Sequence, residues 1–251
     1  PSNLINQTGL LMFKSYSPYA LAFDGNDYID CGDVPLEGVY TISFWINPVN
    51  SPPAGSLYFL LDKGDGGSDI SARVSQSNNN TVRFQIGSTN FSSTDTLTNN
   101  SWNNVILIAN GSSSKIYINN GTAATGTLAT APNTTQSFFI ATDNAQQVGY
   151  FFNGSISNVS IWNTALTSSQ IREVYNEGRP SNLHNFSGTA PVAWWQLGSN
   201  SSWTSPAWTV LDEIGSNNGT SSSMMENAIV DGVGTSGNGV SVNMGLANNI
   251  S

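Results

Sequence analysis

From Tyr40 to Ile46, the apolar side chains Tyr40, Ile42, Phe44 and Ile46 alternate with Thr41, Ser43 and Trp45. A period of two is what a β-strand with one face on a core requires. Runs of the same kind recur at Leu57–Leu61, Ile70–Val74, Val82–Ile86, Val105–Ala109, Ile116–Ile118, Phe138–Ala141 and Val159–Trp162. Clusters of Asn, Gly, Ser and Asp separate them. Asp65-Gly66-Gly67 and Asn78-Asn79-Asn80 read as turns, while Asn110-Gly111 and Asn119-Asn120-Gly121 suit hairpins because Asn and Gly tolerate positive φ. Many short strands at regular spacing predict a sandwich or a barrel.

One segment has a different period. Thr167-Ser168-Ser169-Gln170 has the form of a capping box, and Leu166 and Ile171 have the spacing of a hydrophobic staple. Ile171, Val174 and Tyr175 then share one helical face, and Gly178 followed by Pro180 ends the run. The spacing predicts one short amphipathic helix against the sandwich. Residues 178–190 are polar and turn-rich, which divides the chain into a β-module over 1–180 and an extension over 181–251. The extension has apolar islands at Ala193–Leu197, Trp208–Leu211, Met224–Met225, Ile229–Val230 and Val240–Met244 within Ser, Asn, Gly and Thr. That is too little apolar surface to fold alone, so the extension must lie on its own sandwich or on a neighbour's.

Charge changes the picture further. Only 9% of the 251 residues are Asp, Glu, Lys or Arg, against about 25% in ordinary soluble domains. With 7 Lys+Arg against 16 Asp+Glu there is no basic surface to displace counterions from nucleic acid or to meet an anionic membrane. No apolar run approaches the roughly 18 residues of a membrane span, and Pro1–Met12 does not read as a signal sequence. A single cysteine, Cys31, excludes an internal disulfide framework and a thiolate zinc cage, and is expected to be a small buried hydrophobe.

Four stretches, taken in order, resemble the laminin-G-like members of the concanavalin A-like lectin/glucanase superfamily. They are Ala22-Phe23-Asp24-Gly25-Asn26-Asp27-Tyr28-Ile29-Asp30 with Thr41–Pro48; Ser101–Val105 with the Lys115–Gly121 hairpin; Phe152–Asn163; and Ala165–Ile171. The resemblance covers about residues 20–178 and implies an all-β, concanavalin A-like jelly-roll sandwich of two antiparallel sheets with one short helix. Trp194–Leu197 followed by Val210–Thr220 looks like the strand that precedes F-D-G in the family, here placed after the module. It is therefore expected to add an edge strand to the same or a neighbouring sandwich.

The chemistry is sparse. Superfamily glucanases resemble E-x-D-x-x-E, the paired carboxylates of retaining hydrolysis, and no such spacing occurs here. Asp24/Asp27, Asp27/Asp30 and Asp30/Asp33 stand in a stretch of turn and strand end, and His184, the single histidine, is expected in a solvated loop. No enzyme is expected. If the family's first turn and last strand meet, Asp24, Asp27 and Asn158 would offer hard oxygen ligands to Ca2+, although Ser157-Asn158 replaces the family's acidic pair. The competing reading is a tight turn whose Asp and Asn cap their own backbone.

For glycan binding, the residue types are those of Asp143, Asn144, Gln146 and Tyr150 in one loop, and of Trp203 and Trp208 in another stretch. Charge-poor, cystine-free composition resembles laminin-G-like proteins of marine bacteriophage particles and bacterial surfaces. The expected function is thus a non-enzymatic virion surface protein, a capsid decoration or fibre component, that contacts other virion or surface proteins as a homo-oligomer and contacts host glycan. A calcium-dependent carbohydrate-binding adhesin module of a bacterial surface protein is the alternative, and a glycoside hydrolase stands third.

Overall fold

The computed structural model describes residues 17–65 and 67–234, so Pro1–Met12, Gly66 of the first turn signal and the Val240–Met244 island lie outside the described residues. The first strands are β1 (Tyr19–Asp24), β2 (Tyr28–Asp30), β3 (Tyr40–Pro48), β4 (Leu57–Lys63), β5 (Ala72–Ser77) and β6 (Thr81–Ile86). They are followed by β7 (Thr89–Thr96), β8 (Asn103–Ala109), β9 (Ser114–Ile118), β10 (Ala124–Gly126), β11 (Phe138–Ile140) and β12 (Asn153–Trp162). After the helix α1 (Ser168–Tyr175) come β13 (Ala193–Trp195), β14 (Ser201–Thr204), β15 (Ala207–Val210), β16 (Gly219–Ser222) and β17 (Ile229–Asp231).

These strands form two antiparallel sheets. An eight-stranded sheet runs β10-β9-β8-β3-β12-β1-β17, with β13 also paired to β12. A nine-stranded sheet runs β14-β15-β16-β2-β11-β4-β5-β6-β7. The alternation read in Tyr40–Ile46 puts Tyr40, Ile42, Phe44 and Ile46 into the core between the sheets, where they meet Leu61, Val74 and Phe84 of the opposite sheet. Burying fully such side chains contributes about 1.5–3 kcal/mol each, which is the stabilisation that offsets the ordering of a chain so poor in charge.

The helix begins as its sequence indicates. The Thr167 side chain accepts from the Gln170 N–H and the Gln170 side chain accepts from the Thr167 N–H, completing the capping box. Ile171 and Val174 are buried with Leu166, Ile106, Trp162 and Trp194 on the outer face of the eight-stranded sheet, and Tyr175 stacks on Trp45 at 5.9 Å. Asn176, in the left-handed region at φ 43°, caps the C-terminal end two residues before Gly178.

The 181–234 segment enters both sheets of the same sandwich. Strand β16 pairs with β2, carrying β15 and β14 with it, whereas β13 pairs with β12 and β17 with β1. Trp195 anchors this segment, stacking on Phe138 at 5.7 Å while its Nε1–H donates to the Asn217 carbonyl at 2.7 Å. Asp212 closes the D-x-x-G-x-x-N turn by accepting from the Trp194, Gly215 and Asn217 N–H groups.

Candidate functional site

With the helix on one sheet, the outer face of the nine-stranded sheet is left for other elements. Because Val74 and Leu61 point into the core, their strand neighbours Arg73 and Asp62 point outward as a cross-strand pair, and Phe139 lies opposite both Asp62 and Asp30. Arg73 donates to Asp62 through Nε (2.7 Å) and Nη2 (3.1 Å), and its guanidinium lies 5.2 Å from the centre of the Phe59 ring. Burial pushes the Asp62 carboxyl pKa up, opposed by the Arg73 guanidinium and by the Asn144 N–H that donates to Oδ2 at 2.9 Å.

The 141–152 loop is tied across this face. The Phe59 N–H donates to the Tyr150 carbonyl at 2.8 Å, and the Tyr150 ring lies 5.6 Å from Phe59. Tyr28 packs edge-on against Phe139 at 5.9 Å and beside Phe151 at 6.3 Å. Of the residues expected here to touch glycan, Asn144 and Tyr150 are half-buried and Gln146 is exposed at a left-handed φ of 50°. Asp143 is not free to do so: it is buried, and its Oδ1 accepts from the Gln147 N–H to close the loop's own turn.

The two tryptophans of the second stretch separate. Opposed across β14 and β15, their rings are 5.8 Å apart, but they face different surroundings. Trp208 is 5% exposed, belongs to the core, and donates its Nε1–H to the Met225 carbonyl at 2.8 Å. Its reading as a ligand platform is corrected: the ring has no free face. Trp203 is half-buried and lines a groove of about 490 Å³ together with Ser205, Pro206, Ser222, Ser223 and Met225. One further side chain on this rim, Glu226, is ionisable.

The candidate cation ligands also separate. The first turn does meet the last strand, but Asp24 pairs with Asn153, five residues before Asn158 and so about 16 Å from it along the strand. Asn158 stands instead in a bulge at φ 52°, its Nδ2 donating to Ser157 Oγ at 2.7 Å and its Oδ1 accepting from Trp194 Nε1 at 3.4 Å. Asn158 is therefore corrected out of a shared site with Asp24 and Asp27. Those two remain together: the Asp24 N–H donates to Asp27 Oδ2 at 3.0 Å, and the Asn26 N–H donates to Asp24 Oδ1 at 3.2 Å. The self-capping turn is thus present. It leaves Asp27 Oδ1 buried with no hydrogen-bond partner, in a residue 4% exposed. Burial, with the neighbouring Asp24 carboxylate adding to it, pushes the Asp27 pKa from 3.8 up to about 6, against the lowering effect of the Asp24 N–H.

The residues that sequence reasoning missed are Tyr28, Asp62, Arg73, Asn153 and Met225. A signal existed for the second and third, since Asp62 and Arg73 interrupt apolar strands, but which strand faces which is not readable from spacing. His184 lies half exposed in a short 3-10 turn, its ring edge-on to Trp194 and 3.7 Å from Glu213. Cys31 is buried and free, and burial pushes its thiol pKa up. Among the described residues no group of three or more His, Cys, Asp or Glu could hold a metal ion, and no helix is long and apolar enough to cross a membrane.

Two antiparallel sheets, one capping helix and ligand-sized recesses at the loop edge define a lectin-like jelly roll. Residues 23–172 match the laminin G 3 family of the concanavalin A-like lectin/glucanases superfamily, and the chain belongs to that family. No curated protein matches. Among solved structures, a Bacteroides ovatus protein inferred to bind carbohydrate is similar at 16% identity and a TM-score of 0.62, over 85% of this chain and 60% of that one. The chain thus spans under two thirds of that protein. The native heptameric SAP-like pentraxin of Limulus polyphemus is similar at 14% identity and a TM-score of 0.52, over 86% of this chain and 95% of that one. Domain 4 of a Geobacillus stearothermophilus GH43 extracellular arabinanase, in complex with arabinotriose, is similar at 18% identity and a TM-score of 0.50, over 61% and 74%. At these identities the likeness is one of fold.

Proposed function

We propose that this chain is a non-catalytic carbohydrate-recognition module acting outside the cell, with the Trp203 groove as its sugar site. The observation that carries the reading is the groove itself: a half-buried indole beside Ser205, Ser222, Ser223 and Glu226 in a recess of about 490 Å³. An indole face packs on sugar C–H groups, while hydroxyls and a carboxylate take the sugar hydroxyls. Glycoside hydrolysis needs two carboxylates flanking the bond, and the groove is lined by one, Glu226. The bound arabinotriose of the arabinanase domain is a property of that protein and here suggests a first oligosaccharide to try.

A glycan array followed by calorimetry on the best ligand tests this. Trp203→Ala is expected to weaken binding at least 10-fold with the fold intact, and Tyr150→Ala to leave it unchanged. An array with no ligand, or equal binding by Trp203→Ala, refutes the assignment.

A second reading, a virion decoration or fibre protein, is favoured by β7. This eight-residue strand forms one edge of the nine-stranded sheet, and its single ionisable side chain is Asp95. A long edge with so little charge is a template for pairing with another copy. Light scattering on the purified chain reads it: an oligomer dispersed by Ser92→Pro supports assembly through β7, and a monomer rejects it.

A further inference from the structure

One wall of the Trp203 groove is made by chain that has just left the nine-stranded sheet and crosses to β17 in the other. Strand β16 ends at Ser222, and Ser223 takes a left-handed φ of 62°. A serine enters that region at a cost, so the surroundings must hold it there. The next two residues supply that hold. Met224 is 2% exposed and belongs to the core, and the Met225 carbonyl accepts from Trp208 Nε1–H at 2.8 Å and from the Ala228 N–H at 3.1 Å. Glu226 follows directly, as the first residue of a 3-10 turn. Its backbone is therefore pinned to the core while its side chain stands exposed at the groove.

The charge at this rim is one-sided. Glu226 lines the groove, and among the described residues no Lys, Arg or His does. The ion pairs of the described residues, Lys63–Asp33, Arg73–Asp62 and His184–Glu213, leave Glu226 out. With 16 Asp+Glu against 7 Lys+Arg, the field of the whole chain adds to that of Glu226. A sugar carboxylate or sulfate entering here meets repulsion and finds no cation to pair with. A sugar ammonium meets a carboxylate, and it gains again where it lies within about 6 Å of an indole face. The other walls suit the rest of a pyranose ring: Trp203 for its C–H groups, and Ser205, Ser222 and Ser223 for its hydroxyls.

We propose that the Trp203 groove selects an amino sugar whose amine is unacylated and protonated, the ring stacking on Trp203 and the ammonium donating to the Glu226 carboxylate. A hydrogen bond between two charged groups is stronger than one donated by a hydroxyl, and this ranks the amino sugar above its neutral relative. The selectivity rests on the groove being the sugar site.

The test is calorimetry on the full chain with three trimers, at a pH where the sugar amine is protonated: β-1,4-linked glucosamine, its fully N-acetylated form, and galacturonate. The glucosamine trimer is expected to bind about 5-fold or more tightly than the N-acetylated trimer, and the galacturonate trimer not measurably. Glu226→Gln, an isosteric change at an exposed position, should remove that preference and leave the affinity for the N-acetylated trimer unchanged. Asp95→Asn removes the same charge from β7, at the opposite edge of the nine-stranded sheet, and should leave the preference intact. Equal affinity for the first two trimers, tighter binding of galacturonate, a preference that survives Glu226→Gln, or one lost in Asp95→Asn as well overturns the inference. Neutral-sugar binding that disappears in Trp203→Ala, with no preference for the amino sugar, refutes the selectivity and leaves the groove standing as the sugar site. An array on which no sugar binds refutes the groove, and the selectivity falls with it.

Discussion

Asp27→Asn in the presence of chelator is the sharpest probe of the first turn. Folding raises the Asp27 pKa from 3.8 to about 6. A carboxyl raised in the folded state binds its proton more tightly there, so between those two values the folded chain carries a proton that the unfolded chain has released. Stability therefore falls as pH rises through this window and stays low above about pH 6. About two pKa units correspond to about 3 kcal/mol. Asn keeps the shape, keeps an acceptor for the Asp24 N–H and has no charge to bury. In chelator the variant should gain relative to the parent by up to about 3 kcal/mol as pH goes from about 3.5 to 7.5. Urea denaturation of both proteins across that range reads the difference directly, and with a slope of about 3 kcal/mol/M the midpoints should separate by about 1 M more at the upper end. The parent and the variant share every other titrating group, so those contributions cancel. A difference independent of pH would show that Asp27 ionises as an ordinary exposed carboxylate, and the account of its buried oxygen would fail.

Three further outcomes follow from the packing. Arg73→Met leaves the fully buried Asp62 without its bidentate partner and should destabilise by about 3–5 kcal/mol at pH 7, with less loss at acid pH where Asp62 is neutral; chemical denaturation at two pH values checks it. Trp208→Ala should cost about 3–5 kcal/mol because the ring is a core residue, whereas Trp203→Ala should cost much less; thermal unfolding of the pair separates platform from core. Thr167→Ala removes the acceptor for the Gln170 N–H and should cost about 1 kcal/mol, read as a shift in the denaturation midpoint.

The elements legible in the sequence are those whose side chains alternate under a single constraint. Tyr40–Ile46, Val82–Ile86 and Val105–Ala109 fall within β3, β6 and β8 because each buries one face or both. The run expected at Ile70–Val74 begins two residues later, at Ala72, since Ile70 is buried outside the ladder at the strand's approach. Strands β7 and β14, Thr-Asn-Phe-Ser-Ser-Thr-Asp-Thr and Ser-Ser-Trp-Thr, carry no such signal. They are edge strands whose outward positions face water and whose inward positions are small or few, so ladder hydrogen bonding rather than apolar burial defines them.

The site is less legible than the fold for a geometric reason. Asp24 and Asp27 are three residues apart, and a local turn brings them together whatever the rest of the chain does. Asn158 depended on register: the pairing of Asp24 with Asn153 moves it about 16 Å away, and the bulge turns its amide onto Trp194. Trp203 and Trp208 show the same dependence, since both lie in one short hairpin and differ only in what the returning 223–228 segment covers. That segment seals Trp208 under the Met225 carbonyl while leaving Trp203 at the groove. Residue type can nominate a sugar platform or a cation ligand. Which nominee keeps a free face is decided by the strand crossing between the sheets, and here that crossing is one wall of the groove.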